Sequence, residues 1–178
     1  MWKSKSVEVE FNAGVISVKG TWEPNDLERR AAWDLYVELI TRVSVEELRS
    51  GEGILREALD SLYSIFDSTR VILKTYGTEV AKPRKKANDY SFGQLAIIIL
   101  NKVLRPFLTK WHPLLEEYES KRPGSMSIKE HEDKWQLNSQ MRTDLHEVRR
   151  VLIKFSYFLA IIADVIPLWG PAEESDVW

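Results

Sequence analysis

The sequence contains no cysteine, and this absence removes several classes of function at once. Disulfide frameworks, thiolate catalysis and cysteine-ligated zinc all require a residue type that the chain does not have. The absence is compatible with a reducing compartment, and we predict a cytoplasmic location. A chain of 178 residues buries about 70% of the surface that its unfolded form exposes, so neither disulfides nor metal are needed for stability.

The chain also has little net charge, with 25 basic residues against 27 acidic ones. This balance gives no overall electrostatic attraction to nucleic acid or to an anionic membrane. The most apolar run, "VLIKFSYFLAIIADVIPLW" at 151–169, is interrupted by Lys154 and Asp164 and ends at Pro167. We interpret this run as a core helix rather than a membrane span, and we predict no membrane partner.

Most enzyme signatures are missing from the sequence. The phosphate-binding loop, G-x-G-x-x-G, H-E-x-x-H and G-x-S-x-G motifs are all absent. The three histidines do not form the Glu-x-x-His pairs of di-iron bundles. His112 and Glu116 would share one helix face, but two ligands do not make a metal site. We therefore predict no metal and no cofactor, and we favour a non-enzymatic function.

Apolar residues recur at steps of three and four through most of the chain, a spacing typical of helices that pack in a bundle. Asn25 or Asp26 caps the first predicted helix, Gly77 ends the second, and Ser127 with Glu130 forms a capping box for the last. The predicted helices cover residues 26–43, 54–76, 91–118 and 128–165, the last as one long rod.

The first residues have a different pattern. Alternating apolar and charged residues, followed by "NAG" and a run rich in β-branched residues, predict a β-hairpin over 6–22. The sequence thus predicts an all-α protein: a four-helix-type bundle with a long C-terminal helix and a short N-terminal hairpin. Its predicted parts are a hairpin appendage (1–22), a helical bundle (23–170) and a polar tail (171–178).

The stretch "NKVLRPFLTKWHP", 101–113, places two prolines in the middle of the third helix. Pro106 and Pro113 each delete a backbone N–H, so we expect the helix to kink or break near both. At 100° per residue, four polar residues fall on one strip: Asn101, Arg105, Thr109 and His112. This strip and the neighbouring Trp111 are the candidate binding residues of the third helix.

An arginine and a histidine on one helix face suit acid–base chemistry on a phosphodiester. The spacing of Arg105 and His112 is similar to the R-x(4–6)-H signature of the HEPN family, and the resemblance implies metal-independent cleavage of RNA by this pair. A structural alternative explains both prolines, which the catalytic hypothesis does not. In it, the Arg105 guanidinium bonds the carbonyls freed by Pro106, and Trp111 packs against the hairpin or the fourth helix. Of the two, we favour the structural alternative.

A basic loop gives a third hypothesis. Residues 77–91 are polar, and four basic side chains there would contact a phosphate backbone in a nucleic-acid-binding subunit: Lys82, Arg84, Lys85 and Lys86. A short basic run is more often a solvated loop.

Two phrases carry a further resemblance. "REALDSLYSIF" and "LNKVLRPFLTKWHPLLEEYE" resemble segments of small helical proteins encoded among bacterial conflict and anti-phage systems. This resemblance implies an accessory or adaptor subunit that works beside a separate effector enzyme. Our leading hypothesis is therefore a non-enzymatic helical interaction module. It would bind another protein, or a second copy of itself, through the proline-containing part of the third helix or the apolar fourth helix.

Overall fold

The computed structural model describes residues 7–12, 17–42, 51–83 and 90–168. Most of these residues are helical, which confirms the all-α class. The six α-helices described are α1 (Asp26–Ile40), α2 (Leu55–Tyr76), α3 (Phe92–Ile99), α4 (Arg105–Glu119), α5 (Ile128–Asp133) and α6 (Asn138–Ala163). A 3-10 helix, Gly77–Ala81, follows α2, and a π-helical turn, Leu100–Leu104, joins α3 to α4.

Two short strands precede the helices. β1 (Val7–Asn12) pairs antiparallel with β2 (Ser17–Trp22), and Val7 lies opposite Trp22 in the register. Both strands fall within the range for which the sequence predicts a hairpin. Residues 13–16, which contain most of the predicted turn, lie outside the described residues, as does the predicted tail at 171–178.

Local capping explains where three helices begin. Asn25 with Glu28, Ser91 with Gln94 and Ser127 with Glu130 each form a reciprocal capping box. In such a box, two backbone N–H groups that the first helical turn leaves unpaired gain side-chain acceptors. Gly77 follows the last residue of α2 with a φ of 66°, a backbone conformation that glycine adopts without steric cost. These caps confirm the predicted starts at Asn25 and Ser127 and the predicted end at Gly77.

Two buried glutamates connect helices that are distant in sequence. α2 has no local side-chain cap; instead, the carboxylate of Glu132 accepts from the amides of Leu55 at 2.7 Å and Arg56 at 3.1 Å. Glu28, besides its own capping box, accepts from the amide of Phe92 at the start of α3 at 3.2 Å. Each carboxylate thus fixes the N-terminus of a helix that is more than 60 residues away in the chain.

The last predicted helix is not one rod. α5 ends at Asp133, and α6 begins at Asn138 after an irregular segment. In that segment Trp135 turns inward, with its ring edge-on to Trp111 at 5.9 Å and stacked near Tyr118 at 5.5 Å. The Asn138 side chain donates to the carbonyl of Glu132 at 2.8 Å. The prediction of a continuous helix over 128–165 is wrong, because the burial of Trp135 interrupts it.

The core lies between the long helices, and α6 is central to it. α6 packs against α1 and α4, while α2 packs against α1 and α4. The apolar residues of α6 are buried by the chain itself: Leu145, Val148, Leu152, Phe155, Leu159 and Ile162. The apolar fourth helix is therefore a core element in this structure and not a free surface for a partner. Within the described ranges, one helical stretch, Phe92–Glu119, is long and apolar enough to cross a membrane, but half of its most apolar window is buried in the protein.

Candidate functional site

The helix that carries the two prolines is continuous. Pro106 has no amide hydrogen, and the π-helical turn directly before it widens the hydrogen-bonding pattern: the amide of Arg105 donates to the carbonyl of Leu100. Pro113 lies inside α4, which runs on to Glu119. Of the two expected outcomes, a kink or a break, the break is wrong, because a π turn lies directly before the first proline and the helix continues past the second.

Arg105 does not bond the carbonyls near Pro106. Its side chain is exposed, and its guanidinium carbon lies 5.7 Å from the centre of the Phe66 ring on α2. Such a contact at an exposed site contributes about 0.5–1 kcal/mol. The preferred structural role for Arg105 is therefore wrong, and the guanidinium bridges two helices at the surface.

His112 lies two turns further along α4, half-buried against α2. Its ring is edge-on to Tyr63 at 5.3 Å, and its Nδ1 lies 3.4 Å from Nη1 of Arg56. A guanidinium only donates, so in a hydrogen bond between these two atoms Nδ1 is the acceptor. Nε2 lies 3.6 Å from the carboxylate of Glu116. Both nitrogens of His112 thus have neighbours, and Arg56, not Arg105, is the arginine in contact with it.

Arg56 is a residue of this surface that the sequence analysis did not identify. Its guanidinium forms a two-pronged contact with Glu119, in which Nε donates to both carboxylate oxygens at 3.0 and 3.1 Å. Hydrogen bonding to Glu119 raises the pKa of Arg56 above its ordinary value. This ion pair connects the start of α2 to the end of α4. No periodic pattern marks it, because the two residues are 63 positions apart.

The other candidates on the third helix divide between surface and core. Asn101 and Thr109 are exposed, and the Asn101 side chain donates back to the carbonyl of Ile97 at 3.0 Å. Trp111 is 1% exposed, and its Nε1 donates to Asp144 on α6 at 3.0 Å. The structure therefore places Trp111 in the core against the fourth helix, one of the two positions predicted for it, where it is not available to a partner.

The basic loop is only partly described. Lys82 is exposed and forms an ion pair with Glu79 at 2.6 Å. Arg84, Lys85 and Lys86 lie outside the described residues.

An open groove lies between α1 and α2. Its volume is about 540 Å³. Each helix contributes four residues at positions i, i+1, i+4 and i+5: Trp33, Asp34, Val37 and Glu38 from α1, and Asp67, Ser68, Val71 and Ile72 from α2. Trp33 is 46% exposed and Val71 is 62% exposed, so two large apolar side chains face solvent across the groove.

Carboxylates surround this apolar surface, and each has a different neighbour. Asp34 accepts a hydrogen bond from the hydroxyl of Tyr76 at 2.6 Å, and this bond raises the pKa of Tyr76. Partial burial alone would raise the pKa of Glu38, but hydrogen bonds from Arg42 and Ser68 outweigh it and lower that pKa. These hydrogen bonds favour the ionised form of the Glu38 carboxylate and fix its position at the groove.

Asp67 is a strongly exposed carboxylate of the groove. Its side chain is 81% accessible, and its ion-pair partner is Arg70 at 3.9 Å, a long and solvated contact. Asp34 has the neutral Tyr76 hydroxyl as its hydrogen-bond donor. Arg30 lies one turn before Asp34 on α1, and its charge acts on the Tyr76 hydroxyl. The charges of Asp34 and Asp67 are therefore compensated only weakly, whereas Glu38 is in direct contact with Arg42.

The groove residues could have been noticed in the sequence. Trp33 and Val37 are four apart and lie outside the stripe formed by Ala32, Leu35 and Leu39 that α1 buries. Val71 is likewise next to, but not part of, the buried stripe of α2. Apolar residues in excess of one helix face are the signal for a second contact surface.

Among the described residues, no three histidine, aspartate or glutamate side chains come together as a metal site would require. Comparison of the chain with protein-family models, with curated proteins and with solved structures finds no match in any of the three.

Proposed function

We propose that this chain is a non-enzymatic helical interaction module that docks a protein partner in the groove between α1 and α2. In this proposal α1, α2, the continuous stretch of α3 and α4, and α6 act as a four-helix-type bundle, and the paired strands are an appendage. The observation that carries the proposal is a pair of exposed apolar side chains, Trp33 on α1 and Val71 on α2, that line the same open groove. The resemblance to proteins of bacterial conflict systems extends the proposal to an accessory subunit beside a cytoplasmic effector enzyme.

The position of the groove differs from the surfaces that the sequence indicated. The apolar residues of α6 are used in the core, and the segment around Pro106 presents mainly polar side chains. Tryptophan is among the residues that contribute most to binding when a partner covers them. An exposed tryptophan beside an exposed valine therefore supports docking at α1 and α2 better than at either predicted surface.

The proposal is tested by selecting peptides from a random displayed library on the immobilised protein. Enriched peptides should bind the wild type and lose at least about tenfold in affinity to Val71→Glu, because a buried charge replaces an apolar contact. Ile97→Glu is the matched control, since Ile97 is a similarly exposed apolar residue on α3. If enriched peptides are insensitive to Val71→Glu, or none is enriched, the groove is not a docking site.

A second candidate function is RNA cleavage by Arg105 and His112. The exposure of the Arg105 guanidinium and its place on the same face of α4 as His112 favour this candidate. A general base needs a ring nitrogen free to accept a proton. Nδ1 of His112 lies 3.4 Å from Arg56 and Nε2 lies 3.6 Å from Glu116, so one of these contacts would have to open first. This requirement makes the interaction module the better supported of the two.

RNA incubated with the purified protein in the presence of a chelator distinguishes the two candidates. We expect no cleavage by the protein alone. Cleavage that is lost in Arg105→Ala and in His112→Ala would overturn the proposal of a non-enzymatic module. Arg70→Ala and His146→Ala are the controls, because they remove an arginine and a histidine from other surfaces of the protein.

A further inference from the structure

We infer that the occupant of the groove between α1 and α2 is an amphipathic helix of a partner protein, with lysine or arginine residues on both sides of its apolar stripe. The inference rests on the proposed function and specifies the chemistry of the partner. It is carried by the arrangement of the groove, in which apolar side chains and weakly compensated carboxylates occur together on two neighbouring helices.

The shape of the groove favours a helix as the occupant. α1 and α2 run antiparallel, because Asp34 contacts Tyr76 near one end of the groove while Glu38 contacts Ser68 further along. Each helix contributes residues at i, i+1, i+4 and i+5, so the groove has the spacing of a helical surface on both sides. A third helix fits such a groove with its own ridge of residues spaced three and four apart.

The floor of the groove requires an apolar stripe on the occupant. Ile72 is almost fully buried beneath the surface, and Val71 and Trp33 stand at its two sides. An occupant that covers both would remove two exposed apolar side chains from water, which is the main favourable contribution to association. Trp33 would be the anchor of the contact, as an aromatic residue with much area and few rotatable bonds.

The charges of the groove determine what flanks that stripe. Asp34 and Asp67 come from opposite helices, and the eight residues that line the groove include three carboxylates and no basic side chain. The ion pair of Asp67 with Arg70 is long and exposed, and Asp34 accepts from the Tyr76 hydroxyl. Glu38 adds a third carboxylate, whose charge is already paired with Arg42. Basic residues on both sides of the apolar stripe would complement Asp34 and Asp67, whereas acidic residues would be repelled.

The test uses two synthetic peptides of about 14 residues, stapled so that both are helical, with one shared leucine stripe. One peptide has lysines beside the stripe and the other has glutamates. Binding is measured by fluorescence anisotropy at low and high salt. The basic peptide should bind the wild type at least about fivefold more tightly at low salt, as expected for two exposed charge pairs, and the preference should shrink at high salt.

Two variants locate the effect. Asp34→Asn with Asp67→Asn keeps the shape of both side chains and should reduce the preference for the basic peptide to less than about twofold. Glu117→Gln with Glu147→Gln removes two exposed carboxylates from α4 and α6 and should leave the preference unchanged.

The possible failures are distinguishable. If both peptides bind equally and Val71→Glu abolishes both, the groove docks a helix but the inference about its charge is overturned. If neither peptide binds, or if Val71→Glu has no effect, the proposed function fails with it. If sedimentation shows that the wild type self-associates and Val71→Glu is monomeric, the occupant is a second copy of this chain, and the inference is overturned.

Discussion

The buried carboxylate of Glu132 allows the cap of α2 to be tested directly. In Glu132→Ala the amides of Leu55 and Arg56 lose their acceptor. Leu55 is fully buried, and an unsatisfied buried N–H costs about 1–3 kcal/mol. Arg56 is only partly buried, so water replaces part of its lost bond. We expect the free energy of unfolding to fall by about 2–3 kcal/mol.

Glu132→Gln separates the cap from the charge. Its amide keeps one acceptor oxygen but turns an NH₂ group toward one of the two backbone donors, so we expect a loss of about 1 kcal/mol at neutral pH. Urea denaturation followed by circular dichroism measures both variants, with Glu147→Gln as the exposed control. A loss below about 1 kcal/mol in Glu132→Ala would refute the role of Glu132 as the cap of α2.

The pH dependence of the same residue has a definite sign. Burial raises the pKa of Glu132, although hydrogen bonds from Leu55 and Arg56 act in the opposite direction. With a folded pKa above the unfolded one, the native state takes up the proton first as the pH falls. As the pH falls through the folded pKa of Glu132, the free energy of unfolding of the wild type should therefore rise relative to that of Glu132→Gln. The difference should level off below a pH of about 4.3, the ordinary pKa of glutamate. A relative loss in acid would contradict this reasoning.

Three further predictions concern stability, and urea denaturation measures each. Arg105→Ala should cost less than about 1 kcal/mol, because the guanidinium contacts Phe66 at the surface; a larger loss would imply a structural role. Trp135→Ala should cost about 3–5 kcal/mol by emptying a buried aromatic site, and a loss under about 1 kcal/mol would contradict its place in the core. Gly93→Ala should be destabilising by about 1–3 kcal/mol, since its Cβ would lie 2.8 Å from Cβ of Ala81; unchanged stability would contradict that close approach.

Features set by neighbouring residues could be predicted from the sequence. The capping residues Asn25 and Ser127, the glycine after α2 and the apolar stripe of α2 depend on residues within one or two turns. Features set by distant residues could not. Residues 134–137 contain no proline or glycine that would indicate a break, so only the burial of Trp135 against Trp111 shows it.

The same difference between neighbouring and distant residues applies to the candidate surfaces. The shared face of Arg105 and His112 could be predicted from the spacing within α4, but their neighbours Phe66 and Arg56 come from α2, and no local pattern identifies them. The π turn before Pro106 could not be predicted from the sequence. A helix can accommodate the missing amide hydrogen of a proline by breaking or by a wider π turn, and only the packing of α3 and α4 decides between the two.

Methyl NMR during titration with the basic helical peptide tests docking in the groove most directly. Val37 and Val71 line the groove, whereas Ile97 is exposed on α3 and serves as an internal reference. The account predicts that the methyl signals of Val37 and Val71 shift most and show intermolecular contacts to the leucines of the peptide. Shifts that are largest at Ile97, with Val71 unmoved, would contradict it.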